Sequence, residues 1–396
     1  MDDPSSGLIA EAWVRLALTP EIGPRLAHRL LARFGSPEAV FEASEAELAG
    51  VEGMGEKRRR ALRLPEPREE ALAAIETADR VGARLITLAN PHYPIALKDL
   101  ACPPLVLYVR GRLLPEDRLA VAVVGPRQPS EYARIMTRSL VPPLCARGLT
   151  IVSGLAHGVD AEAHRAALDS GGRTLAVLAH GLDVPVYPAA QRRLLERIVN
   201  EDRGAALSIF RFGVTPEPGA FPQRNEVIAA LAVGVLVVEA GEKSGALITA
   251  GHALELGRHV LACPGDATRP NARGANRLIA EGAALIQRSD DVLAALAEEL
   301  RRLRVELGGG EGQTVETEDA AAAPPPAWVG AAGWSSDLLD TSIREALTED
   351  HRTLDYLLEV GARAGYAQGA IIQKLLLLEL SGLVRQLPGK VFCLSP

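Results

Sequence analysis

The amino-acid sequence predicts an α/β fold with a Rossmann-like, doubly wound parallel sheet over about residues 105–305, within an extended core domain of residues 69–305. From Leu119 onward, short apolar runs alternate with helical stretches. Runs this continuous are typical of strands buried on both faces, and hence of a parallel sheet covered by helices. Abundant Gly, Ala, Val and Leu, with only 4% aromatic residues, suit tightly packed α/β layers. The predicted strands are Ala120 to Val124, Thr150 to Val152, Thr174 to Leu178, Ala206 to Ile209, Val235 to Glu239 and Val260 to Ala262.

Charge and cysteine content narrow the class of protein. Acidic residues outnumber basic ones by 50 to 43, so any affinity for nucleic acid must come from local patches. The four cysteines are far apart and lack metal-ligand spacing, which predicts a reduced, cytosolic protein without structural zinc. The acidic start, Met1 to Pro4, is unlike a signal peptide, and no apolar run is long enough to span a bilayer.

Residues 1–68 are expected to form a helical domain with tight glycine turns. The turn at residues 51–55 precedes the basic run at 56–60, and residues 20–25 hold a degenerate copy. The pair resembles a helix-hairpin-helix or SAM-like module, whose glycine turn offers backbone N–H groups to a nucleic-acid phosphate. A basic run is also typical of a solvated helix face, so a capping or interaction role stays open. The predicted helices are Ala27 to Phe34, Pro37 to Ala43, Glu45 to Ala49 and Lys57 to Arg63.

The C-terminal part is expected to form a separate small domain. Residues 306–332, rich in Gly, Ala and Pro, predict a linker. Residues 333–396 predict three helices and then two short strands around Pro388-Gly389, an order that resembles a winged helix. Gln373 and Lys374 stand on the would-be recognition helix, but that helix is mostly Leu. A protein-interaction or stabilising role is therefore an alternative to binding duplex DNA.

Candidate binding residues follow the predicted strands. After the first strand, Gly125 permits a tight turn and close approach of a ligand, and Arg127 supplies a planar fork of donors for phosphate. The chain has neither the glycine pattern of a dinucleotide site nor a P-loop, so no cofactor is expected. After the second strand, Asp160 and His164 lie one helical turn apart. They predict either an acid/base pair or, as we prefer, an Asp that caps the helix or orients its N-terminal loop beside a locally bonded His.

Two further segments add an aromatic ring and cations. Phe221, Arg224 and Asn225 open a helix, which suits a phosphate together with a stacked base. A structural alternative places Phe221 in the core and pairs Arg224 with a glutamate. Lys243 precedes Ser244-Gly245 at another helix start, where exposed N–H groups attract an anion, although it could instead pair with Glu242.

Taken together, these segments resemble the DprA/Smf family, DNA-processing protein A of bacterial natural transformation. The matching segments are Tyr93-Pro94, Pro103 to Gly111, Val124 to Arg127, Ser153 to Asp160, Tyr187-Pro188, Phe221 to Asn225, Lys243 to Thr249, Pro264-Gly265 and Gly274 to Ile279. The resemblance implies a cytoplasmic, non-enzymatic homodimer that binds and protects single-stranded DNA and loads RecA onto it. Single-strand-binding protein is a further candidate partner, and no catalytic or metal-binding residue is implied. The DNA-binding residues expected are Gly125, Arg127, Ser153, Gly154, His157, Phe221, Arg224, Asn225, Lys243, Ser244 and Gly245.

Departures from the family pattern modify this expectation. Pro126 stands where a small Ser or Thr is common, and Ser208-Ile209 replaces a usual Ser-Glu. His157 stands where a lysine is frequent, and Glu226 where a basic residue is expected. An unperturbed histidine is mostly uncharged at neutral pH. We therefore expect weaker or more pH-dependent binding than in a relative with a lysine at that position.

Two other functions compete with this interpretation. A nucleotide phosphoribohydrolase resembles the same fold, but its Pro-Gly-Gly-x-Gly-Thr loop is interrupted here at Pro264-Gly265-Asp266-Ala267, and the glutamate expected after it is missing. A structural adaptor that binds proteins through its head and tail is the third alternative.

Overall fold

The computed structural model describes residues 4–307, 338–349, 352–363, 384–387 and 391–394, together with residues 366, 371, 374, 375 and 378. The chain divides into two compact units, Met1–Gly312 and Gln313–Pro396. In these described ranges, no helix combines the length and apolarity needed to cross a bilayer.

The first unit begins with a helical head. Serine caps start two of its helices: Ser36 accepts from the Ala39 amide, and Ser44 forms a reciprocal capping box with Glu47. The predicted head helices are confirmed, with small shifts at their ends. Two long helices were not among them: one opens the head, and the other leads into the first strand. The helices are α1 (Pro4–Leu18), α2 (Pro24–Phe34), α3 (Pro37–Glu42), α4 (Glu45–Ala49), α5 (Glu56–Leu62) and α6 (Glu66–Val81).

A single nine-stranded sheet follows the head, in the order β1-β2-β6-β5-β4-β3-β7-β8-β9. The seven strands from β6 to β9 along this order are parallel, whereas β1 and β2 add an antiparallel edge. All six predicted strands are present; β1, β2 and β9 were not predicted. The strands are β1 (Ala83–Thr87), β2 (Val106–Gly111), β3 (Ala120–Val124), β4 (Thr150–Ser153), β5 (Thr174–Leu178), β6 (Gly204–Ser208), β7 (Gly234–Val237), β8 (His259–Ala262) and β9 (Ala284–Leu285).

Helices cover both faces of this sheet. Alternation along β3 shows why: Val121 and Val123 pack into one hydrophobic cluster, while Ala120, Ala122 and Val124 pack into the cluster on the opposite face. The helices are α7 (Glu131–Ala146), α8 (Val159–Asp169), α9 (Arg192–Asn200), α10 (Ala220–Leu231), α11 (Gly245–Glu255), α12 (Arg273–Ala280), α13 (Ser289–Ala295) and α14 (Ala297–Glu306). Short 3₁₀ helices span Ile95–Asp99, Pro115–Arg118, Ala189–Gln191 and Pro270–Ala272.

The strand order creates a topological switch point between β3 and β7. From β3 the chain proceeds through β4, β5 and β6 in one direction, and then returns to β7 and continues the opposite way through β8 and β9. The loops after β3 and β7 therefore diverge and leave a crevice at the carboxyl edge of the sheet, where doubly wound folds bind their ligands. The Rossmann-like, doubly wound prediction is confirmed.

The head and the sheet share one hydrophobic core. Trp13 and Leu30 from the head belong to the same buried cluster as Tyr108 on β2, Leu178 on β5 and Leu195 on α9. The head is thus packed against one end of the sheet, and its glycine turns lie near the segment that connects β1 to β2.

The second unit contains a small antiparallel sheet in the order β10-β12-β11. Its last two strands pair as the predicted hairpin, with Val384 opposite Leu394. Most of the predicted third helix, including Gln373, and the predicted linker from residue 308 lie outside the described residues, so the winged-helix assignment stays a prediction. The elements are α15 (Leu338–Glu349), β10 (Arg352–Thr353), α16 (Leu354–Arg363), β11 (Val384–Leu387) and β12 (Val391–Leu394).

Candidate nucleic-acid interface

A cleft of about 290 Å³ opens at the switch point, between the loops after β3 and β7 and the first turns of α10 and α11. We call it the switch-point cleft. Seven of the eleven residues expected from the sequence line it: Gly125, Arg127, Phe221, Arg224, Asn225, Ser244 and Gly245. Gly154 and His157 line a smaller recess beside it, together with Arg127, Phe221 and Tyr187. Lys243 is exposed immediately before Ser244.

The loop after β3 is locked against the loop after β4. A Cβ on Gly125 would lie 2.6 Å from Val159, and a Cβ on Gly158, at φ +80°, would lie 2.2 Å from the Pro126 carbonyl oxygen. The Val159 amide also donates to that carbonyl at 3.3 Å. Gly125 is therefore required by its contact with Val159, and it also lines the cleft, where the sequence suggested that it lets a ligand approach.

Arg127 is exposed on this locked loop. Its guanidinium carbon lies 5.2 Å from the centre of the Phe221 ring, a cation–π distance. Within the described ranges Arg127 has no ion-pair partner. At the end of the same loop, the Ser130 amide donates to the Glu239 carboxylate at 3.0 Å, which ties the loop to the end of β7. The position of Arg127 is thus fixed while its donors face solvent.

Arg224 lines the floor of the cleft with a buried side chain. Its guanidinium donates to the carbonyls of Gly154 and, at 3.0 Å, Val177. A Cβ on Gly154 would lie 1.6 Å from the Arg224 Nη1, so residue 154 must be glycine to admit this guanidinium. Burial lowers the pKa of Arg224, and the charge of nearby Asp160 opposes that shift. Arg224 therefore supports the cleft from inside, instead of presenting its guanidinium to a phosphate, and it pairs with neither Glu226 nor Glu239.

Asp160 and His164 have structural roles. The Asp160 carboxylate accepts from the Gly154 amide at 3.2 Å and the Ala156 amide at 3.4 Å, which orders the loop after β4. Burial raises the pKa of Asp160, and the charge of Arg224 opposes this shift. His164 is bonded to the Thr174 hydroxyl through Nδ1 at 2.6 Å, and burial lowers its pKa to about 3. The preferred alternative, a loop-orienting Asp beside a locally bonded His, is confirmed.

Ser153 is also internal. Its side chain is fully buried, and the hydroxyl donates to the Val123 carbonyl at 2.7 Å. This bond fastens the end of β4 to the end of β3. The side chain of Ser153 therefore does not reach the cleft, in contrast to the expectation from the sequence.

The start of α11 supplies the second positive element of the cleft. Ser244 caps the helix by accepting from the Ala246 amide at 3.3 Å, and Gly245 occupies the first helical position with open space around it. The first N–H groups of this 11-residue helix lie beside the exposed Lys243. The alternative pairing of Lys243 with Glu242 is not seen among the ion pairs of the described chain.

Tyr187 is the site residue that sequence reasoning missed. Its side chain is 48% exposed, and its ring centre lies 6.2 Å from that of Phe221. The Tyr187 amide donates to His180 Nε2 at 3.3 Å, while His180 Nδ1 donates to the Gly181 carbonyl at 2.8 Å. Burial lowers the pKa of His180, which favours this neutral form. An aromatic residue following a strand at the carboxyl edge, in a chain with few aromatics, was the available signal.

The loop that would bind phosphate in a phosphoribohydrolase is occupied by the protein itself. The Gly265 amide donates to Asn276 Oδ1 at 2.9 Å, and its carbonyl accepts from Asn276 Nδ2 at 2.8 Å. The Tyr132 hydroxyl donates to the Pro264 carbonyl at 2.6 Å. This backbone is satisfied within the protein, so the Pro264-Gly265 loop is not arranged to receive a phosphate.

These observations define a Rossmann-like protein whose switch-point cleft, lined by Arg127, Phe221 and a helix N-terminus, has Lys243 beside it and Tyr187 in the adjoining recess. Such features suit a polyanion that carries flat bases. The chain belongs to the DNA recombination-mediator protein A family, whose model matches residues 84–297. A model of the SAM-like helix-hairpin-helix tandem matches residues 16–64.

Individual relatives extend the similarity beyond the core. Protein Smf of Synechocystis is 35% identical over 395 residues, covering 95% of this chain and 96% of its own length. DNA processing protein DprA of Streptococcus pneumoniae is 42% identical over 208 residues, covering 52% of this chain and 72% of its own. The X-ray structure of DprA from Streptococcus pneumoniae superposes with a TM-score of 0.56 at 32% identity, covering 74% of this chain and 98% of that one.

Proposed function

We propose that this protein is a recombination mediator that holds single-stranded DNA in the switch-point cleft. The observation that carries the proposal is the exposed Arg127 guanidinium, 5.2 Å from the Phe221 ring, on a loop that two neighbouring loops lock in place. A guanidinium beside an aromatic ring can contact a backbone phosphate and a stacked base of the same nucleotide.

The other cleft residues divide between these two tasks. Lys243 and the Gly245 N–H at the start of α11 are placed for phosphates, whereas the Ser244 N–H already donates to the Gly241 carbonyl at 3.1 Å. Asn225 can donate to a base edge or a sugar. Because so few aromatic rings are present, most contacts are to the backbone, and binding has little sequence preference and falls steeply with salt.

Membership of the family supports several finer proposals. The protein acts without catalysis, which agrees with the structural roles of Asp160 and His164. It works as a homodimer in the cytoplasm, delivers bound strands to RecA and meets single-strand-binding protein on the same DNA during natural transformation. Two linked sites would raise the effective concentration of a strand at each cleft. The domain boundaries proposed are 68/69, 305/306 and 332/333.

The test is a titration of fluorescent oligo-dT and a matched duplex, followed by anisotropy at several salt concentrations. The full chain is compared with the double variant Arg127→Ala, Lys243→Ala. The matched control is Arg193→Ala, Arg301→Ala, which removes the same charge from exposed positions on α9 and α14, away from the cleft.

We expect the wild type and the control to prefer the single strand and the cleft variant to lose that binding. A plot of log affinity against log salt has a negative slope, and each phosphate that the variant no longer neutralises makes that slope shallower by about 0.7. Equal losses of affinity in the control and the cleft variant would mean that general charge, and not the cleft, binds DNA. Unchanged binding in the cleft variant would favour an adaptor role.

A further inference from the structure

A second basic groove lies between the helical head and the core. It has a volume of about 610 Å³, and the head lines it with Arg25, Arg29 and Arg58, together with glycines from both hairpin turns. Three guanidinium groups thus converge on one groove of a chain whose net charge is −7. We call it the head groove.

Two of these guanidinium groups are held side by side by the second glycine turn. Arg58 Nη1 donates to the Gly53 carbonyl at 2.5 Å, and Arg29 Nη1 donates to the Glu52 carbonyl at 3.2 Å. Both nitrogens lie 3.6 Å from the point where a Cβ on Gly53 would stand. Two like charges on one glycine turn repel each other, and a bound anion between their remaining donors would relieve that repulsion.

Three carboxylates at or beside the head groove offset much of this positive charge. Glu21 is bonded to Lys57 at 2.7 Å, and Glu52 lies 3.5 Å from Arg29 but is 86% exposed. Glu226 also lines the groove and has no ion-pair partner in the part of the chain that the structure describes. Arg25 is exposed and has neither an ion pair nor a hydrogen bond from its side chain within the described ranges.

Helix α10 connects the two sites. Its first turn directs Phe221, Arg224 and Asn225 toward the switch-point cleft, whereas Glu226, on the next position around the helix, lines the head groove. A strand that leaves the cleft over the start of α10 therefore meets the three arginines of the head. The three cations form one group around the two hairpin turns. One group suits the backbone of a single strand, whereas the two backbones of a duplex would need two rows of cations.

We propose that the head groove is a second binding site for the phosphate backbone of single-stranded DNA, formed by Arg25, Arg29 and Arg58 and occupied by the same strand that fills the cleft. The path of the strand rests on the function proposed above, but the site itself can be tested separately. It gives the helix-hairpin-helix head a direct part in binding.

The experiment measures anisotropy of a series of oligo-dT lengths with the full chain, across salt concentrations. The head variants are the double variant Arg29→Gln, Arg58→Gln and the single variant Arg25→Ala, whose side chain makes no contact that the fold needs. Arg60→Ala is the matched control, because Arg60 stands in the same basic run but pairs with Glu56 outside the groove. The cleft variant Arg127→Ala, Lys243→Ala and a matched duplex complete the set.

We expect the shortest oligomers, which fill the cleft alone, to bind the head variants like the wild type. For longer oligomers, the double head variant makes the negative salt slope shallower by about 0.7 for each phosphate that it no longer neutralises. Arg25→Ala makes the slope shallower by about 0.7, the value for one phosphate, while Arg60→Ala leaves it at the wild-type value.

Head variants with wild-type affinity and slope at every length would overturn the head groove and leave the cleft intact. Loss of long-oligomer binding in the head variants alone, with the cleft variant unaffected, would support the head site and refute the cleft. If the head variants lost only duplex binding and bound oligo-dT like the wild type, the proposal that the head groove binds single-stranded DNA would be refuted.

Discussion

Replacing Arg224 by methionine tests whether this residue binds DNA or supports the fold. The change keeps most of the side-chain volume but removes the donors to the Gly154 and Val177 carbonyls. It also leaves Asp160, which is 7% exposed, without its neighbouring positive charge. Hydrogen bonds to a charged group contribute about 1.5–3 kcal/mol each, and an uncompensated buried charge costs roughly 3–5 kcal/mol. We expect the free energy of unfolding of the sheet to fall by roughly 3–5 kcal/mol.

Hydrogen exchange by mass spectrometry on peptides from β4 and β5 measures this loss. It reports the opening free energy of the sheet without the contribution of the C-terminal unit. Arg127→Ala is the comparison, because its exposed side chain should change that free energy by no more than about 0.5 kcal/mol. The second variant in a mutant cycle is Asp160→Asn: combined with Arg224→Met, it removes the unpaired charge and should recover part of the stability.

The opposite result would refute the structural role of Arg224. In that case Arg224→Met would leave β4 and β5 as protected as in the wild type, while lowering oligo-dT affinity and the salt slope as Arg127→Ala does. Arg224 would then bind a phosphate directly. No recovery in the Asp160→Asn double variant would show that the two side chains are not coupled.

Three further predictions follow from the geometry of the site. Tyr187→Ala should weaken oligo-dT binding about tenfold, because it removes a stacking ring, and it should leave the salt slope unchanged. Tyr187→Phe, which keeps the ring, should bind like the wild type. A change in the salt slope of Tyr187→Ala would contradict stacking. His157→Lys should bind oligo-dT more tightly than the wild type, because a lysine adds a permanent positive charge beside the recess that residue 157 lines, whereas identical affinity of the two proteins would remove residue 157 from the interface. Because burial lowers the pKa of His164 to about 3, the unfolded chain binds a proton first as pH falls below about 6.5, so stability is full above that pH and drops by roughly 2 kcal/mol at about pH 5. In urea melts, the free energy of unfolding of His164→Asn should fall less on acidification than that of the wild type. An equal fall in the two proteins would contradict this prediction.

The sequence predicted where the site lies because position along a parallel strand determines which edge its loop reaches. The continuous apolar runs marked β3, β4 and β7, and their carboxyl ends had to meet. The antiparallel edge was missed because β2 is defined by pairing with β6, about a hundred residues away, which no local pattern reveals.

Side-chain direction was the part that the sequence could not supply. Arg224 and Asn225 are neighbours at one helix start, yet the phase of α10 against the sheet buries the first and leaves the second partly exposed. Gly125 was expected to let a ligand approach closely, and Gly154 was expected among the DNA-binding residues. A side chain at either position would clash with the protein itself. The space was needed by Arg224 and Val159, and a glycine alone does not tell whether a ligand or the protein's own side chain fills it.

The core shared by the head and the sheet affects how this protein can be divided. Trp13 and Leu30 cover the same buried cluster that Tyr108, Leu178 and Leu195 supply from the sheet and α9. A fragment that begins after the head would turn that cluster into an exposed apolar patch, and such patches promote aggregation. Shortened versions of this protein should therefore keep the head and be cut after α14, or else replace the sheet residues of the cluster with polar ones.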